Sequence, residues 1–181
     1  MAEQTGSAAS LADFIWKNAE DLWGDFKHTD FGKIILPFTL LRRLECVLDP
    51  TRQDVRDANE LHKDSGIDLD LILRQCTRYP FYNTSEYALS TLGGTKTRQN
   101  LQDYVAHFSD NARIIFEQFD FSNTVIRLDK AGVLFKICKN FAGVDLDRDN
   151  DGRKGGKIEK PKATTGNMGT KTVWIWQFQP A

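Results

Sequence analysis

Through residue 146, apolar side chains recur three and four positions apart in short runs. Each run tends to have a capping residue on one side and a Gly or Pro on the other. This is the spacing of one face of an α-helix with its start and stop signals. No stretch before residue 145 alternates apolar and polar as a half-buried strand does, and there is no internal repeat. The expected fold is all-α: a bundle of seven or eight short helices, then an irregular C-terminal tail.

The runs place the helices. Ser10 caps a first helix over 11–23, with Leu11, Phe14, Ile15, Leu22 and Trp23 inward and Gly24 as its stop. Asp30 caps a second over 31–48. Pro37 lies inside it, removes an amide donor and crowds the preceding turn, so a kink or a break is expected there. Residues 51–63 read as an exposed helix with Val55, Ala58 and Leu61 as a narrow stripe, ended by Gly66. Asp68 caps a short helix holding Leu69, Leu71, Ile72, Leu73 and Cys76. An aromatic loop over 79–85 follows, then a short helix over 86–90. Thr97 opens a helix to about Phe108, with Leu101, Tyr104, Val105 and Phe108 inward. Ser109 caps the next, with Ala112, Ile115, Phe116 and Phe119 inward. Ser122 caps a turn to Leu128, and Asp129 or Lys130 starts the last helix, which ends near Gly143.

Composition narrows the function classes. The length fits one domain and a tail. No apolar run approaches the ~20 residues of a membrane span, so no membrane partner is expected. The first ten residues lack a basic and an apolar segment, so the chain is read as cytoplasmic. Three scattered cysteines (Cys46, Cys76, Cys138) and three scattered histidines (His28, His62, His107) point to reduced thiols and to no metal site. Residues 1–146 hold 17 Lys and Arg against 21 Asp and Glu, a net of −4. Residues 147–181 hold 7 against 4, a net of +3. DNA contact by the globular part therefore needs a local patch.

Four cations form candidate patches. Arg42 and Arg43 are adjacent on a helix, about 100° apart, so both cannot point into the core. Either they reach phosphate oxygens, or one pairs with an acid in the bundle while the other is solvated. Lys96 and Arg98 flank Thr97 at a helix start, where free amides also favour anions. The alternative there is an ordinary capped helix. Trp16 and Trp23 lie seven apart on one side. Core packing is the expectation and base stacking the alternative. Residues 147–152, DRDNDG, match half of a calcium loop, but position 12 is Ile158. A solvated acidic turn is the better reading. Residues 147–172 are Gly-, Lys- and Thr-rich and poor in large apolar groups, and Val173–Phe178 then alternate like a strand without a partner.

One segment carries a family resemblance. Its pieces are Leu11-Ala12, Trp16-Lys17, Leu22-Trp23, Asp30 through Ile35, Pro37, and Leu40-Leu41-Arg42-Arg43-Leu44. Together they resemble the opening of the modification (methyltransferase) subunit of type I restriction-modification systems, which methylates adenine N6. The resemblance covers roughly 10–146 and implies a non-catalytic helical N-terminal domain. In the family, a methyltransferase domain using S-adenosylmethionine follows, with an Asn-Pro-Pro motif that holds the flipped adenine. This chain has no Asn-Pro-Pro, and its Gly93-Gly94 and Gly155-Gly156 pairs do not follow a strand as the family's glycine-rich cofactor loop does. It is expected to hold no cofactor and to be inactive alone, and residues 147–181 read as a polar, non-native or truncated end.

By resemblance, the domain helps clamp DNA, weakly by itself. It also contacts the specificity subunit and a second modification subunit. Arg42, Arg43, Lys96 and Arg98 are the candidate DNA-binding residues. The competing reading is a stand-alone helical module that binds protein and not DNA, which the net −4 favours.

Overall fold

The computed structural model describes residues 5–64, 66 and 68–146, with side chains from residue 12 onward. These residues belong to one unit, Met1–Arg148. They form eight α-helices: α1 (Thr5–Leu22), α2 (His28–Leu48), α3 (Arg52–His62), α4 (Leu69–Thr77), α5 (Thr97–Ala106), α6 (Asp110–Gln118), α7 (Phe121–Lys130) and α8 (Leu134–Ala142). A 3-10 turn, Asp49–Thr51, joins α2 to α3. Among the described residues there is no strand, only isolated bridges at Trp23–Phe26 and Asn83–Phe108. The calcium-like turn and the Trp-rich end lie outside the described residues.

α2 is the central element, packed by α1, α7 and α8, while α5 packs on α6, α7 and α8. A chain of rings runs through the middle. Phe14 meets Phe141 at 4.9 Å, Phe38 meets Phe121 at 5.0 Å and Phe141 at 5.5 Å, and Phe116 meets Phe121 at 5.5 Å. Phe38, Phe116 and Phe141 are fully buried. Each such side chain contributes ~2 kcal/mol by leaving water. α3 and α4 pack chiefly on each other, outside this cluster.

Pro37 does not break α2, which runs unbroken from His28 to Leu48. Proline inside a helix costs ~3 kcal/mol. Ile34, Ile35, Phe38 and Leu41 around it are all buried, and their burial outweighs that cost.

The first helix begins earlier than its sequence suggests, so Ser10 is internal and not a cap. Its core-facing positions are Phe14, Asn18 and Leu22, spaced by four. Trp16 lies about 200° from both Phe14 and Asn18 and so points away. Trp16 and Trp23 are 66% and 64% exposed, which overturns their expected place in the core, and Ile15 is exposed with them. Asn18 occupies the inward position. It is fully buried and donates to the Phe14 carbonyl at 2.8 Å.

Other boundaries shift for local reasons. Asp68 caps α4 as expected, accepting from the Leu71 amide at 3.3 Å. Residues 86–90 form no helix. Ser85, Thr91 and Glu45 side chains take the amides of Tyr87, Ala88 and Leu89, in place of helical carbonyls. α7 continues to Lys130 and α8 starts only at Leu134, because Gly132 at φ +73° turns the chain between them. On α6, Ala112 and Phe116 point inward, whereas Ile115 and the C-cap residue Phe119 are exposed, which overturns their expected place in the core.

Candidate functional site

α2 brings Arg42, Arg43 and Cys46 against the segment that follows α8. Arg42 Nε donates to the Val144 carbonyl at 2.7 Å, and its terminal NH1 donates to Glu45 Oε2 at 2.7 Å. Arg43 donates to the Leu146 carbonyl. The main chain of Leu146 also hydrogen-bonds the Cys46 thiol.

Glu45 is only 6% exposed and fully partnered. Its second oxygen accepts the Leu89 amide at 2.8 Å, and the Tyr104 hydroxyl hydrogen-bonds to the same carboxylate. Burial works against the charge on Arg42, but the hydrogen bond and charge of Glu45 outweigh it and hold the guanidinium above its ordinary pKa. Burial, then the Glu45 charge, pushes the Tyr104 hydroxyl well above its usual range. Beside this network is a cleft of about 20 Å3 bounded by Glu45, Arg52, Thr77, Asn83 and Tyr104. That is room for about one water molecule.

The second pair of cations is placed differently. Lys96 is exposed and occupies the N-cap position of α5 without a side-chain cap. Arg98 is partly exposed and lies 3.3 Å from Asp129 of α7. The first turn of α5 contains no acid. Its unpaired amides and the helix dipole therefore favour an approaching anion.

Two further features complete the surface. Between α1 and α8, Asp21 receives Lys136 at 2.7 Å and Asn140 at 2.8 Å. Burial raises the Asp21 pKa, but these two donors prevail and lower it. On the outer side of α1, exposed Trp23 stands edge-on to His28 at 4.4 Å.

The HsdM N-terminal domain family matches residues 11–141. The chain belongs to this family. It carries the N-terminal domain of the modification subunit of type I restriction-modification systems. Neither the comparison with curated proteins nor that with solved structures finds a match.

As an HsdM N-terminal domain, the matched stretch is distinct from the catalytic domain of such subunits. Its residues do not fit S-adenosylmethionine. The cofactor loop expected for these enzymes follows a buried strand, and Gly93-Gly94 follows none. Among the described residues, no group of three His, Cys, Asp or Glu side chains is arranged to hold a metal ion. No described helix is long and apolar enough to cross a membrane.

Of the four candidate residues, the HsdM N-terminal domain brings Arg42 and Arg43 together on one strip of chain and Lys96 and Arg98 together at one helix start. It keeps the two pairs on separate elements. Glu45 and Tyr104 were missed from sequence. The available signal was an acid three positions, about one turn, after Arg42 on the same helix.

Proposed function

We propose that this domain helps a type I modification enzyme close around DNA and contacts its neighbouring subunits, the specificity subunit and a second modification subunit. Lys96 and Arg98 are the leading phosphate contacts, with Arg43 and Arg42 as a second pair. The supporting observation is the start of α5, where an exposed lysine and a partly exposed arginine flank a helix start that has no side-chain cap and no acid in its first turn. Residues 10–146 are taken as the domain and 147–181 as a separate tail, and the setting is taken as cytoplasmic.

The alternative reading is a protein-interaction module without DNA binding. Trp16 and Trp23 favour it, since two exposed tryptophans are typical anchors of protein interfaces. One pair of variants separates the readings. Lys96→Ala/Arg98→Ala should weaken binding of a short labelled duplex, and Trp16→Ala/Trp23→Ala should leave it unchanged while reducing capture of the specificity subunit. Duplex binding indifferent to the α5 substitutions would favour the alternative.

A further inference from the structure

The α5–α7 pair has two ends of opposite character. Arg98, near the start of α5, meets Asp129, near the end of α7, at 3.3 Å. Val105 and Phe121 share a cleft at the other end, so the two helices run antiparallel. Lys96 and Arg98 mark the first end. The last turn of α5, α6 and the first turn of α7 form the second. Between Gln102 and Asn123 the chain carries four acids, Asp103, Asp110, Glu117 and Asp120, against one arginine, Arg113. All four acids are exposed. Arg113 is already matched within α6, 2.8 Å from Asp110 and 3.7 Å from Glu117. Even with His107 charged, the balance is four against two.

The acidic end holds a cleft of about 140 Å3. Val105, Ala106, Phe116, Phe121 and Val125 give it apolar walls, and Glu117 also lines it. Two walls are fixed by their neighbours. Phe116 meets Phe108 at 5.7 Å and Phe121 at 5.5 Å, within the buried core. An apolar space of ~150 Å3 holds a molecule as large as benzene. This cleft therefore has room for one bulky apolar side chain and for little more.

We propose that the cleft is a docking site for a helical segment of a partner protein. The segment inserts one bulky apolar side chain between α5 and α7 and carries lysine or arginine one turn to either side. The exposed acids select the basic flanks, and they repel phosphate, so the occupant is protein and not DNA. An added strand needs a free sheet edge, and the described residues form no strand. A helix satisfies its own main chain and puts residues three and four apart on one face. The inference rests on the reading that the domain contacts neighbouring subunits. It gives such a contact a surface, an anchor and a charge.

The test uses the full chain and a labelled, alanine-based helical peptide with one phenylalanine and a lysine one turn before and after it. Fluorescence anisotropy should show saturable binding. Alanine in place of the phenylalanine should weaken it about tenfold or more, as for a buried interface anchor. Each lysine exchanged for glutamate should cost about threefold. In the protein, Ala106→Trp fills the mouth of the cleft from an exposed position and should also weaken binding about tenfold. Glu117→Lys, at a side chain 66% exposed, should cost about threefold. Should Ala106→Trp lower the melting temperature, Glu117→Lys carries the test with the same peptides. No saturable binding overturns the inference, and so does equal binding of the alanine or the glutamate peptide. Weaker duplex binding by Ala106→Trp would overturn it as well, by making the cleft part of a DNA surface. The underlying reading fails separately. If no peptide binds but Trp16→Ala/Trp23→Ala still loses the specificity subunit, subunit contact stands and only the cleft is struck.

Discussion

The α2 arginines are bound up with the protein itself: Arg42 holds a buried carboxylate and the Val144 carbonyl after α8, and Arg43 holds the Leu146 carbonyl. At the start of α5, Lys96 stands exposed and Arg98 has only a partly exposed partner, Asp129. The residue types are alike, and both pairs lie on helices. Their surroundings separate them. Arg42 has Glu45 one turn away and a returning chain above it, so its charge is spent on internal order. The α5 cations have a helix start without an acid, so their charge faces outward. A cation's role here is set by what the chain places over it.

The sharpest break in this comparison is stability. Arg42→Ala leaves the Glu45 carboxylate buried without its cation, and should cost ~3 kcal/mol or more. Urea denaturation measures it. A loss under ~1 kcal/mol would mean that Glu45 finds another partner and that Arg42 is no more structural than Lys96.

Alkaline pH tests the buried side next. Burial raises the Cys138 thiol to about 12 and, together with the Asp70 contact, Tyr82 to about 12, while Tyr104 is raised well above its usual value. Folded pKa values above the unfolded ones mean stability that is complete below the unfolded values, near 8.5 for Cys and 10 for Tyr, and lost as pH rises toward 12. Melting temperature should therefore fall steeply between about pH 9 and 12. Tyr104→Phe should flatten part of that fall. An unchanged profile in that variant would remove Tyr104 from the titrating set.

Arg43→Ala, which removes at least the bond to the Leu146 carbonyl, is expected to have a smaller effect, ~1–2 kcal/mol. Hydrogen exchange should show faster amides at 144–146 and unchanged protection in α5 and α7. Uniformly faster exchange would mean that residues 144–146 open together with the bundle. Smallest of all, Lys96→Ala and Arg98→Ala should each shift stability by no more than ~0.5 kcal/mol. A larger loss would place the α5 pair with the α2 pair.

Much of the fold was legible because helical spacing and caps are local signals. The stripe of Leu101, Tyr104 and Phe108 and the Asp68 cap came through as read. The outer face of α1 was not legible. Tryptophan counts as apolar, so Trp16 and Trp23 drew the stripe toward themselves, while a buried Asn18 carried the true one. Asn18 belongs inside only because Phe14 and Asn140, the latter 122 positions away, satisfy its amide. The arginine pair was unreadable for the same reason. Arg42 and Arg43 meet carbonyls more than 100 residues distant, and no local pattern encodes that contact.

The central claim is that the α5 cations are the leading contacts to DNA phosphate, ahead of the internally engaged α2 pair. It is tested most directly by the salt dependence of duplex affinity, measured for the unaltered chain and for Lys96→Ala/Arg98→Ala. Each neutralised phosphate contributes a slope of about −0.9 in log affinity against log salt. The account predicts that losing two contacts makes the slope shallower by about 1.8, with the melting temperature unchanged. Parallel salt dependences for the two proteins would contradict it.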